Sequence, residues 1–189
     1  TWLEYAALLH DIGIHISYEQ HHRHSYYLVK NGDLRGFEPD EIEVIALVTR
    51  YHRRATPKRK HEGYTELPRH LRLAVRTLAA ILRLAESLDR SHAQLVTDVS
   101  LRERGDGARL KLRAAGDAEL EVWAASRHKA PFEEVIGKTL TIVAGAADGP
   151  RAVASGGDAT RRSPLPAPPA ARGADRKSTR LNSSHVSES

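Results

Sequence analysis

The spacing of apolar residues changes character once along this chain, near Ala93, and that change dictates its organisation. Before it, apolar residues recur at helical intervals: Leu71, Val75, Leu78, Leu82 and Ala85 form one stripe on a segment that runs to Asp89. After it, Val99/Leu101, Leu110/Leu112 and Leu120/Val122 alternate at strand spacing, separated by the turn residues Gly105-Asp106-Gly107 and Gly116-Asp117. The expected fold class is therefore mostly α with a small α+β part. Residues 1–92 form a helical bundle, and residues 93–145 form a short antiparallel sheet with one helix, Pro131–Ile136, and a last strand, Leu140–Val143. A second part of about 50 residues buries too little surface to stand alone and leans on the helices.

Within the bundle the first helix is already under way at Thr1, so the chain is expected to start inside a domain. A second helix is expected from Glu19 to Lys30, stopped by Asn31-Gly32. A third starts at Pro39, a favoured first helical position, with Ile42, Ile45 and Thr49 facing the core. The segment Thr56–Leu67, with Pro57 and Gly63 and no apolar period, reads as a loop before the long helix Pro68–Asp89.

Two features of the bundle carry chemistry. The apolar run Leu3–Leu9 ends in the doublet His10-Asp11, closed by Ile12-Gly13, and Asp89 continues the apolar stripe of the long helix. Buried His and Asp side chains are costly unless they are hydrogen-bonded, paired or bound to a metal. The doublet and Asp89 are thus expected to meet inside the bundle, either as a polar network or as a site for a divalent ion. The order of a His-Asp doublet on one helix and a lone Asp on a late helix resembles the HD superfamily of helical phosphohydrolases. That resemblance implies a metal held by His10, Asp11 and Asp89, with His24 the candidate among His15, His21, His22 and His24 to join it. The other reading of this cluster has His24 bonded internally while His21 and His22 face solvent. An HD site also draws a His from a helix before the doublet, which would fall before Thr1, so the metal set is expected to be incomplete.

The runs His10-Asp11-Ile12-Gly13, His21-His22-Arg23-His24-Ser25-Tyr26-Tyr27-Leu28, Arg50-Tyr51-His52-Arg53-Arg54-Ala55 and Leu82 to Ser91, in this order, resemble the C-terminal half of the Ppx/GppA family. The likeness covers residues 1–145. It implies an HD-like helical domain of an exopolyphosphatase or guanosine pentaphosphate phosphohydrolase. In that family the catalytic machinery is an upstream pair of actin-like domains using Mg2+, and on this reading the fragment alone is inactive. The expected partners are inorganic polyphosphate or guanosine pentaphosphate. A stand-alone metal-dependent HD phosphohydrolase, and a pure anion-binding module, are the competing readings.

Composition agrees with a cytoplasmic protein. There is no apolar stretch long enough for a membrane span and no signal peptide. With no cysteine there are neither disulfides nor thiolate ligands, so any metal is held by His, Asp or Glu, which suits Mg, Mn or Fe. The formal charge of +5 is consistent with an anionic ligand and by itself leaves polyphosphate, nucleic acid and an acidic partner open. The densest basic run is Arg50, Arg53, Arg54, Lys58, Arg59 and Lys60; a row of such cations is suited to a linear phosphate chain, although a basic run is also an ordinary solvated face. Nucleic acid is disfavoured because stacking aromatics are not interleaved with this run. A homodimer is compatible with the sequence, which does not fix the oligomeric state. The Ala, Gly, Pro and Arg-rich stretch 146–174 is expected to be disordered, and residues 175–189 read as non-native read-through.

Overall fold

The structure is a computed structural model that describes residues 1–146; the expectations for the tail beyond them lie outside the described residues. The helices are α1 (Trp2–Leu9), α2 (His21–Asn31), α3 (Pro39–Tyr51), α4 (Arg69–Ser87), α5 (Glu119–His128) and α6 (Ala130–Ile136), with a 3-10 turn at Ile12–His15. The strands are β1 (Val96–Arg104), β2 (Gly107–Ala114) and β3 (Thr139–Ala146). The chain is mostly helical with a small α+β part, as its apolar spacing predicts. Among the described residues no helix is long and apolar enough to cross a membrane.

Helix α3 is the hub of the first part. It starts at Pro39, where Glu41 accepts a bond from the Glu38 backbone and closes a capping box. Its residues Val44 to Thr49 are all buried, because α1, α2 and α4 surround it. A helix that is apolar all round belongs at the centre of a bundle. Tyr51, Tyr64, Leu67, Leu71 and Val75 extend this core into the loop and the first half of α4.

Helix α4 serves two cores. Leu71, Val75, Ala79 and Leu82 face the bundle, while Ala80 and Leu84 join Leu110, Leu112, Ala125, Phe132 and Leu140 under the sheet. The small α+β part therefore buries its apolar face on the last turns of α4, the support that its size requires.

Two expectations about this part are corrected. Leu120/Val122 lie on helix α5 and not on a strand. Their alternation is too short to outweigh the helical period of the buried residues Ala118, Glu121 and Ala125 and the acidic first turn, Glu119 and Glu121. The sheet is also not wholly antiparallel. β1 and β2 form a hairpin, but β3 lies parallel to β2, in the order β1-β2-β3. The parallel pairing follows from the helices: α5 and α6 carry the chain back across one face, so the next strand must run in the same direction as β2.

Candidate metal and phosphate site

The His10-Asp11 doublet sits where α1 gives way to the 3-10 turn. That turn is held against the start of α2 by a relay in which Gly13 N–H donates to Ser25 Oγ at 3.0 Å and the Ser25 hydroxyl donates to the His10 carbonyl at 2.5 Å. Ser25 is fully buried. Ser25→Ala is expected to lower stability by about 1–3 kcal/mol, the cost of leaving a buried donor unpaired, measurable by urea unfolding.

Around Asp11 the structure gathers more groups than the doublet. Asp11 Oδ1 lies 3.1 Å from His21 Nε2 and 3.8 Å from His52 Nε2, and these two ring nitrogens are 3.4 Å apart. His10 Nε2 is 3.4 Å from Asp11 Oδ2, and Glu86 Oε2, on α4, is 3.9 Å from His52 Nε2. Each of the three rings has Nδ1 against the carbonyl three residues earlier: His10 on Ala7 at 2.6 Å, His21 on Tyr18 at 3.1 Å and His52 on Thr49 at 2.6 Å. A carbonyl only accepts, so Nδ1 carries a proton in each ring, and in a neutral ring Nε2 offers a lone pair. Burial pushes the His52 pKa down to about 3, so its ring is neutral at pH 7, and burial pushes the Glu86 carboxyl up from its usual range.

With the rings neutral, the outcome is a set of lone pairs converging on one point. Such acceptors repel one another unless a cation lies between them. The nitrogens and oxygens of Asp11, His21 and His52 are within 4.8 Å of one another, a spacing compatible with ligands about 2.1 Å from a shared ion. The backbone bond on each Nδ1 is also the outer bond that orients a metal-binding imidazole. The donor set therefore fits a divalent ion.

The residues expected at such a site fare differently. Asp11 is in it, and His10 stands beside it, with Nε2 3.4 Å from Asp11 Oδ2 but outside the set within 4.8 Å. His21 and His22, expected to face solvent, are 2% and 8% exposed, because the first turn of α2 packs against the 3-10 turn and His21 stacks on His52. His24 is half-buried and is outside the set within 4.8 Å. Asp89 lies past the end of α4 and accepts a bond from Gln94 N–H at 3.0 Å, so it organises the loop before β1. His52 and Glu86 are not among the ligands expected from the sequence, although a signal for them exists. His52 continues the four-residue spacing of Val44 and Val48 on the buried side of α3, and Glu86 continues Val75, Ala79 and Leu82 on α4.

The basic run does not form one continuous face. Arg50 stacks over the rings of Tyr26 and Tyr51. Arg53 is half-buried, with Nη1 3.3 Å from His21 Nε2, which sets a permanent cation beside the metal candidates. Arg54, Lys58, Arg59 and Lys60 are exposed, and the carbonyl of Arg54 accepts a bond from Arg83. Only Arg59 of the six lines an open groove of about 760 Å³, beside Arg69, His70, Arg72 and Arg76 of α4. Those α4 cations are inconspicuous in the sequence, because they are spread at helical intervals instead of clustered.

The family model described as Ppx/GppA phosphatase, domain III, matches residues 1–122. The chain belongs to the Ppx/GppA phosphatase family. The match includes the bundle, β1, β2 and the first turn of α5, and it stops short of residue 145. Similar curated proteins are guanosine-5'-triphosphate,3'-diphosphate pyrophosphatases. That of Vibrio vulnificus is 34% identical over 121 residues, 62% of this chain and 22% of the relative. That of Aeromonas hydrophila is 36% identical over 86 residues, 44% of this chain and 16% of the relative. That of Pseudoalteromonas translucida is 47% identical over 47 residues, 25% of this chain and 10% of the relative. The chain thus spans less than a quarter of the length of each of these relatives.

Proposed function

We propose that this Ppx/GppA domain III serves a Mg2+-dependent phosphoric-anhydride hydrolase by holding the phosphate chain of the substrate, while actin-like domains of the whole protein perform the cleavage. The observation that carries the reading is the groove in which Arg59 meets Arg69, Arg72 and Arg76 along α4. Arg forks suit phosphate oxygens, and several of them along one open groove hold a linear polyanion without reading a base. Arg72 is partly engaged, donating to the Thr65 and Leu67 carbonyls at 3.2 and 2.7 Å, and Arg76 pairs at 3.4 Å with Glu134 on the groove wall, so Arg59 and Arg69 are the uncommitted contacts and Arg76 exchanges an exposed carboxylate for phosphate. The names of the relatives favour guanosine pentaphosphate as the substrate of the whole protein; inorganic polyphosphate presents the same anhydride chain and is the simpler probe. A cytoplasmic location is part of the same proposal.

The test is polyphosphate binding by the purified chain over a range of salt concentrations. Affinity is expected to fall steeply as salt rises, since each neutralised phosphate releases condensed counterions, and short chains bind less well. Arg69→Gln with Arg76→Gln is expected to flatten the log–log salt slope by about two, one per lost contact, with helical content unchanged. An unchanged slope in that double variant refutes the groove.

A second reading rests on the converging lone pairs of His10, Asp11, His21, His52 and Glu86: a self-sufficient metal-dependent phosphohydrolase. Asp11, His21 and His52 would hold a divalent ion, which supplies a Lewis acid for a phosphoryl oxygen and lowers the pKa of water. In this reading Arg53 holds the phosphate of the substrate next to the imidazoles, and Glu86 accepts a proton from water. The two readings differ in one assay. The first expects no phosphate release from polyphosphate by the isolated chain, whereas Mn2+-dependent release abolished by Asp11→Ala supports the second.

A further inference from the structure

The outer face of the small sheet carries a concentration of charge that neither reading uses. β2 alternates strictly: Ala108, Leu110, Leu112 and Ala114 are buried, and Arg109, Lys111 and Arg113 stand on the opposite face. The register with β1 sets Arg102 opposite Arg109, Ser100 opposite Lys111, Asp98 opposite Arg113 and Arg104 opposite Gly107. On the other side β3 places Thr141, Val143 and Gly145 beside the same three β2 residues. Lys111 reaches over β3, where a Cβ on Gly145 would meet its Cε at 2.8 Å.

The face therefore holds five cations, Arg102, Arg104, Arg109, Lys111 and Arg113, and one carboxylate, Asp98, whose Oδ2 is 3.6 Å from Arg113. Like charges directly opposite in a sheet cost stability, and Arg102 against Arg109 is such a pair. The arrangement disfavours the isolated fold and favours an anion lying across it. Along β2 the cations recur about every 6.6 Å, so Arg109 to Arg113 spans roughly 13 Å, with Arg102 one strand, about 4.8 Å, to the side. Ser100, Thr139 and Thr141 add hydroxyl donors between them. The register places no aromatic residue on this face, which removes the base-stacking platform that single-stranded nucleic acid needs.

We infer that the outer face of the β1–β2–β3 sheet is a second polyanion site, taking an unbranched phosphate chain along β2. It shares no residue with the α4 groove and involves no reaction. The ligand class is the same as in the proposed function, but the sheet site stands or falls independently of the groove.

The test uses the full chain of 189 residues and fluorescently labelled long-chain polyphosphate, followed by anisotropy over a series of salt concentrations. Replacing Arg102, Arg109 and Lys111 together by Gln is expected to weaken binding about tenfold or more at low salt and to flatten the salt slope by about three. The melting temperature should stay level or rise, because the opposed Arg pair is gone. Asp98→Asn, which removes the one carboxylate of the face, is expected to tighten binding. Unchanged affinity and slope in the triple variant overturn the inference, as does a fall in melting temperature that accounts for the lost binding. Equal, equally sensitive binding of oligothymidylate overturns the choice of a phosphate chain over nucleic acid. The Arg69/Arg76 variant, measured alongside, separates the sites: lost binding there with none in the sheet variant retires the sheet site alone, and the reverse retires the groove alone.

Discussion

Manganese added to the purified chain at one hundred times its dissociation constant is expected to raise the melting temperature by roughly 5–10 °C, and Asp11→Ala is expected to abolish the rise. Binding that is confined to the folded state contributes about 2.7 kcal/mol at that concentration, and 1 kcal/mol moves the melting point of a chain this long by roughly 2–4 °C. The folded state alone has a site to offer, because Asp11, His21 and His52 come from three separate elements. Without the ion the variant has a second effect: removing one acceptor relieves the crowding of lone pairs, so Asp11→Ala in a chelator should melt no lower than the parent chain. His24→Ala is the control and should keep the full response to manganese, because His24 is outside the cluster. Differential scanning calorimetry with and without the metal reads both. An identical melting curve for the parent chain at every manganese concentration would leave the cluster as a polar network without a metal.

Gly13→Ala is expected to cost about 3 kcal/mol or more and to remove the manganese response with it. A Cβ at Gly13 would lie 2.2 Å from the His21 carbonyl oxygen, 2.4 Å from the Ser25 amide nitrogen and 2.8 Å from the His24 Cβ. Two of these atoms are backbone, so no rotamer change relieves the clash; the whole first turn of α2 must move. Overpacking alone costs about 1–3 kcal/mol, and the displaced Gly13 amide and Ser25 hydroxyl add the cost of a broken buried hydrogen bond. The same shift carries His21 away from Asp11, which couples folding to the site through one absent methyl group. Urea unfolding gives the first number and the manganese shift the second. A variant with parental stability would show that the contact between the 3-10 turn and α2 is looser than these distances.

Much of the bundle was legible along the chain. Pro39 marked the start of α3, the stripe through Leu71, Val75 and Leu82 marked α4, and the break in spacing near Ala93 marked the change to strands. The doublet His10-Asp11 was legible for the same local reason: a His and an Asp at the end of an apolar helix need partners. What failed was extrapolation of a period. The α4 stripe continued through Ala85 points to Asp89, but Ala85 is exposed and the helix ends at Ser87, so the carboxylate that reaches the site is Glu86. In the same way two alternating residues, Leu120 and Val122, suggested a strand where Ala118, Glu121 and Ala125 pack as a helix.

The sequence by itself determined what depends on neighbours within a few residues: where helices start, which faces are apolar, and that the chemistry is that of His and carboxylate without thiol. Only the tertiary structure decided which of the described histidines meet. His10, His21 and His52 are far apart in sequence and come together because α1, α2 and α3 share a core, and the carbonyls of Ala7, Tyr18 and Thr49 fix each ring with Nε2 turned toward Asp11. Strand direction was likewise a tertiary outcome, since β3 is parallel to β2 on account of two helices between them. Local propensity reads the pattern of one segment; the direction of a strand and the company of a side chain are set by how segments pack, which is a property of pairs far apart along the chain.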